Sequence, residues 1–131
     1  MPASAASRSS AVILFAHGAR DPRWAEPFVR VAEKVRHAAP EFRIELAYLE
    51  SLRPDLETAA RALAAEGARS IRVVPLFFGR GGHLREDVPP LIERIRSALP
   101  GVSLEVADAA GEDAEVIDAI AAFCLRAAGI P

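Results

Sequence analysis

A chain of 131 residues, 51% hydrophobic and 26% charged, is long enough to bury one core, and its net charge of -2 argues against a polyanion binder held by bulk basicity. No apolar run approaches the roughly 20 residues of a membrane span, so neither nucleic acid nor membrane is an expected partner. The single cysteine, Cys124, excludes an internal disulfide and fits a reducing, cytoplasmic location.

Residues 1–10 are small and polar with no apolar signal region, and read as a disordered tail ahead of one domain over 11–131. Ala11 to Ala16 is a short apolar run, a buried first strand that leads into His17-Gly18-Ala19-Arg20. Asp21-Pro22 is a helix start, and Trp24, Phe28, Val31 and Val35 mark one apolar face of a helix to about Ala39. Phe42 to Leu49 alternates as a second strand, closed by Glu50. A second helix follows Pro54, with Leu56, Ala59, Ala60 and Leu63 inward and Gly67 as its stop. Ser70 to Phe78 is a third strand, and its apolar run from Val73 reads as buried on both faces. It breaks into Gly79-Arg80-Gly81-Gly82, a glycine hinge suited to positive φ and close approach to a ligand, and then His83. A third helix is expected from Asp87 to Leu99, a fourth strand over Val102 to Ala107 and a last amphipathic helix over Asp113 to Ala128, with Cys124 in its core-facing stripe. The order βαβαβαβα gives an α/β class with a four-stranded parallel sheet, flavodoxin-like, in the order 2-1-3-4.

That topology carries the functional argument. His17 follows the first strand and His83 the third, and these strands are neighbours, so both histidines belong to the sheet edge where open α/β folds bind ligands. Glu50 reaches the same edge from the second strand. Two imidazoles and a carboxylate can hold Co2+, Fe2+, Ni2+ or Zn2+, and neutral imidazole can accept a proton near pH 7. Each residue also has a plain reading, as a turn histidine or a solvated strand end. His37, late on the first helix, has no such company and reads as a surface residue. Arg20, Arg23, Arg53, Arg80 and Arg85 fall near the edge and would suit a substrate with many carboxylates. No Gly-Lys-Ser/Thr loop, GxGxxG turn, cysteine pair or nucleophile elbow is present.

HGARDP at His17 to Pro22, AYLE at Ala47 to Glu50 and PLFFGRGGHLREDVP at Pro75 to Pro89 together resemble the short sirohydrochlorin cobalto/ferrochelatases, which are ATP-independent tetrapyrrole chelatases. The resemblance covers nearly the whole chain after the tail. It implies a chelatase-like half-domain that inserts Co2+, Fe2+ or Ni2+ into sirohydrochlorin, in cobalamin or sirohaem synthesis, with no cofactor beyond the substrate metal and no ATP. It implies His17 as base and metal ligand and His83 as second ligand, with Glu50 and Phe78, Gly79, Arg80, Gly81 and Gly82 at the substrate; Arg20 and Arg85 are the arginines expected to meet the carboxylates. It also implies a homodimer. Gly111-Glu112-Asp113 stands where many relatives carry a Gly-x-His-Pro turn. Two other functions compete: a metal or tetrapyrrole carrier using the same two-histidine pocket without turnover, and a histidine phosphatase-like hydrolase. The second normally wants an arginine before the histidine, where this chain has Ala16.

Overall fold

The computed structural model describes residues 9–79 and 81–131. Residues 1–8 of the expected tail lie outside the described residues. Strand β1 (Ser10–Ala16) begins within the expected tail, and Arg69 N–H donates to the Ser9 carbonyl at 2.7 Å. A 3-10 turn (Pro22–Ala25) leads into α1 (Glu26–Ala38), followed by β2 (Arg43–Tyr48), α2 (Leu56–Ala65), β3 (Ser70–Pro75), α3 (Gly82–Ala98) and β4 (Ser103–Val106). A second 3-10 turn (Ala110–Glu112) precedes α4 (Ala114–Ala127). The sheet has the order β2-β1-β3-β4 and every pairing is parallel, as the alternation of strands and helices predicts.

Parallel strands need both faces covered. On one face α2 contributes Leu56, Ala59, Ala60 and Leu63, and α3 contributes Ile92 and Ile95, against Ile13, Phe15, Ile71, Val73 and Leu104. On the other, Ala32 of α1 packs on Leu14 and Ile44. Trp24, Phe28 and Val35 pack on the core as expected, whereas Val31 is 40% exposed and the neighbouring Ala32 takes the buried place. A methyl group at the contact lets the helix backbone approach the sheet closely. Trp24 and Phe28 stack with ring centroids 4.5 Å apart and cover Tyr48, whose phenol burial pushes its pKa upward. Each edge strand has a carbonyl occupied by an arginine from a helix. Arg36 donates to Ile44 O at 2.8 and 3.0 Å, and Arg96 donates to Leu104 O at 2.9 and 3.1 Å.

Three local expectations differ. Helix α3 begins at Gly82 rather than Asp87, so Pro89 and Pro90 lie inside it. Proline disfavours the helical conformation of the residue before it, which is why the pair reads as a boundary in sequence. Strand β3 ends at Pro75, before Phe78; Leu76 N still donates to Phe15 O, and beyond it the backbone bonds away from β1, Phe77 O accepting from Gly111 N. Cys124 is exposed instead of buried, because α4 buries none of its residues. Among the described residues no helix is long and apolar enough to cross a membrane.

The start of α2 is fixed by Asp55, whose carboxylate accepts from Thr58 N at 2.8 Å. That bond holds the carboxyl below its ordinary pKa. Replacing Asp55 by Ala is expected to cost about 1 kcal/mol in urea unfolding at neutral pH. A lowered folded-state pKa contributes stability above the unfolded value, and the contribution disappears as pH falls through the folded value. The difference between wild type and Asp55→Ala should therefore shrink below about pH 4.

Candidate functional site

The carboxyl ends of β1, β2 and β3 meet at one edge, with β1 between the other two. Pairing continues beyond the strands there. Leu49 N donates to Ala16 O at 2.9 Å and Glu50 N to His17 O at 3.1 Å, while Leu76 N donates to Phe15 O at 2.8 Å. These bonds set His17 beside Glu50 before any side-chain contact is considered. The side chains then meet, His17 Nε2 lying 3.6 Å from Glu50 Oε1, with 40% and 52% of each side chain exposed. His17 Nδ1 lies 3.2 Å from Gly18 O, an atom that can only accept, so that ring nitrogen donates. The imidazole meets Phe77 edge to face, 6.5 Å between centroids, and Phe77 packs on buried Phe15.

Gly18 makes this arrangement possible. It has φ +94°, and a Cβ there would lie 1.8 Å from Glu50 O. Glycine alone satisfies both the backbone angle and the close approach. A second glycine has a similar role across the edge. Gly111 N donates to Phe77 O at 2.9 Å, and a Cβ on Gly111 would lie 1.5 Å from Phe78 O. The turn after β4 is thereby held on the segment that leaves β3. In sequence Gly111 stands out only as part of a replaced turn, and Phe77 only within an apolar run. The usable signal is a glycine just past the fourth strand, at the same edge as Gly18.

The other candidates are distributed as follows. Phe78 is 64% exposed, beside buried Phe77. Gly79 and Gly81 have open space where a Cβ would be, and Gly81 adopts φ -72° as the cap of α3, so neither needs the positive φ expected of a hinge. Gly82 and His83 form the first turn of α3. Arg80 lies outside the described residues. Arg85 lines an apolar groove of about 360 Å³ under α3, together with Phe77, Leu84, Val88, Ile92 and Val106. Arg20 is exposed three residues beyond His17. Arg23 is turned to Asp21, which it clamps at 2.8 and 3.1 Å, and the guanidinium holds that carboxyl below its ordinary pKa. Arg53 is near enough to Asp55 to act on its charge. His37 lies in the last turn of α1 and is exposed. Among the described residues no three His, Cys, Asp or Glu side chains converge as a metal cage.

The CbiX family model matches residues 11–126. The chain is 33% identical over 112 residues to the sirohydrochlorin cobaltochelatase of Saccharolobus solfataricus, covering 80% of this chain and 85% of that one. It superposes with a TM-score of 0.81 on a Marinobacter aquaeolei CbiX protein assigned to cobalamin (vitamin B12) biosynthesis, at 33% identity, covering 92% of this chain and 98% of the other. The sirohydrochlorin chelatase SirB from Bacillus subtilis subspecies spizizenii, solved in complex with cobalt, aligns with a TM-score of 0.75 at 27% identity. That alignment covers 87% of this chain but 49% of SirB, so the chain spans about half of that relative.

Two glycines with positive φ separate backbone strain from site geometry. Gly67 has φ +108° with open space where a Cβ would stand, so Gly67→Ala should cost about 1–2 kcal/mol and leave the His17–Glu50 pair in place. Gly18→Ala adds a collision with Glu50 O. Its unfolding midpoint should fall further, and a crystal structure of the variant should show Glu50 displaced from His17.

Proposed function

This chain belongs to the CbiX family, and on that premise we propose that it is an ATP-independent chelatase that inserts a divalent metal, Co2+ or Fe2+, into sirohydrochlorin. The observation that carries the reading is the His17–Glu50 pair at the carboxyl edge of the sheet. Insertion exchanges one M2+ for the two N–H protons of the macrocycle, so the site must take up protons and release them. His17 Nε2 stands at the edge and accepts a pyrrole proton. The resulting imidazolium has an acceptor for each N–H, Gly18 O on one side and the Glu50 carboxylate on the other. Glu50 is half exposed and passes the proton to solvent. In its neutral form the same Nε2 is a ligand for the incoming metal, with His83 as the second ligand.

The remaining candidates fit a flat substrate rimmed by carboxylates. Exposed Phe78 offers an apolar face to the ring. Arg20, Arg80 and Arg85 supply charge-assisted donors for the rim, and Gly79, Gly81 and Gly82 keep the backbone open to it. One chain gives one wall of such a site. Ligand sites bury most of a small molecule's surface, so the active form in this reading is a homodimer. The reaction belongs in the reducing cytoplasm, in keeping with the lone cysteine.

Insertion of Co2+, Fe2+ and Ni2+ into sirohydrochlorin, followed by absorbance, tests the activity and orders the metals. A single-turnover comparison with and without protein separates a chelatase from a carrier, since a carrier leaves the insertion rate unchanged. His17→Ala and His83→Ala should each lower kcat by about 10²–10⁴-fold with folded spectra, and His37→Ala should do little. Two site variants with wild-type rates would sink the assignment. Arg80→Ala and Arg85→Ala should raise KM more than they lower kcat, each lost carboxylate contact being worth roughly 1.5–3 kcal/mol.

A further inference from the structure

The helical segments before β2 and β4 repeat one another. The first 3-10 turn and α1 together run from Pro22 to Ala38, and α3 runs from Gly82 to Ala98, so both begin and end at one constant offset in the chain. At that same offset Glu33, Arg36 and Pro40 correspond to Glu93, Arg96 and Pro100. The likeness extends to bonding: Arg36 donates to Ile44 O and Arg96 to Leu104 O, each eight residues on. The two segments lie on opposite faces of the sheet, and the space beneath them is filled differently. In the first unit Trp24 and Phe28 stack with centroids 4.5 Å apart and close on Ala16, Leu46 and Tyr48. In the second, Leu84 and Val88 stand at their positions, and Arg85 stands where the first unit has buried Ala25. Two aromatic rings are replaced by two aliphatic side chains, and the space that remains is the groove of about 360 Å³ under α3.

We propose that this groove is an edge pocket for the substrate, taking one planar rim of the macrocycle while Arg85 binds the carboxylate carried there. The inference rests on the chelatase reading and adds to it how the ring is oriented. The first unit shows what such a space accommodates, namely flat apolar rings. Charge selects the rest of the occupant. Glu93 and Arg96, which also line the groove, pair with each other at 2.5 Å, whereas Arg85 has no ion-pair partner among the described residues. A guanidinium beside apolar walls binds a carboxylate bidentately with less competition from water. The volume lies at the low end of small-ligand pockets, ~300–1,000 Å³, so the groove admits part of a macrocycle and not the whole. Its place fits as well. Phe77 lines the groove and meets His17 edge to face, 6.5 Å between centroids. The carboxylated arms of a macrocycle lie farther than that from its centre, so a ring centred at His17 reaches past Phe77. One gripped rim then fixes the rotation of the ring about the metal.

The test refills the groove of the full chain with the rings of the first unit. Leu84→Trp/Val88→Phe should keep a folded circular dichroism spectrum and bind metal-free sirohydrochlorin, followed by absorbance, about 10-fold or more weakly than wild type. Val88→Phe alone gives the same reading, with a smaller loss, if the double change disturbs the fold. Arg85→Gln should weaken binding by a similar factor, and its effect should largely vanish in the filled background, because both changes remove one contact. 1-Naphthoate, a free planar carboxylate, should shift the methyl resonances of Leu84 and Val88 and compete with sirohydrochlorin. Wild-type affinity in a folded, filled variant overturns the pocket and leaves the chelatase standing. Naphthoate that occupies the groove without displacing sirohydrochlorin also overturns it, and marks a site for a free aromatic acid. Binding that responds to filling, without metal insertion by the wild type, supports the pocket and removes the chelatase. A chain that neither binds sirohydrochlorin nor inserts metal removes both.

Discussion

Strand β1 is paired along its length on both sides, to β2 and to β3, and the rest of the molecule depends on that double ladder. A strand with neighbours on both sides and helices above and below must be apolar throughout, and Ile13, Leu14, Phe15 and Ala16 are all buried. Parallel pairing then brings three chain exits to one edge. The ladder extends past the strands through Glu50 N to His17 O and Leu76 N to Phe15 O, so the histidine is positioned by backbone bonds and not by its own side chain. The rigidity comes from the core beneath, where Phe15 and Phe77 pack edge to face.

Two close backbone approaches complete the edge. Gly18 lets the exit of β1 lie against Glu50, and Gly111 lets the turn after β4 lie against Phe78. Neither tolerates a Cβ without movement of the facing carbonyl. Together they tie four strand exits into one surface, which leaves His17 and Glu50 on one side and Phe78 on the other. The proposed insertion would use this surface to deprotonate a flat ring and place a metal in it. The apolar groove under α3 shares Phe77 with this surface, and Arg85 lines that groove.

The distribution of apolar surface is uneven. The core around β1 is closed, whereas α4 leaves Ile117, Ile120, Phe123 and Leu125 open to water. Scattered exposed apolar residues are ordinary, but a continuous stripe along one helix is not. A relative of which this chain spans about half, SirB, aligns with the same fold.

Much of this is legible in the residues alone. The apolar runs at Ala11 to Ala16 and Val73 to Pro75, alternating with helical periods, determine the α/β class and the order 2-1-3-4, because parallel strands joined by helices have few right-handed solutions. The same order places His17 and Glu50 at one edge, and their contact follows. Asp21 and Asp55 cap where polar residues before apolar periods should, although Pro54 is the more conspicuous marker of the second start. Periodicity alone decides less about termini and burial. It puts the start of α3 at Asp87, since prolines act as boundaries locally and only packing of Ile92 and Ile95 draws the helix through them. It puts Cys124 in a core, since an amphipathic stripe says that a face will be covered and not by which surface. The approaches of Gly18 to Glu50 and Gly111 to Phe78 join residues far apart in the chain, and such contacts are decided by how strands lie side by side in space.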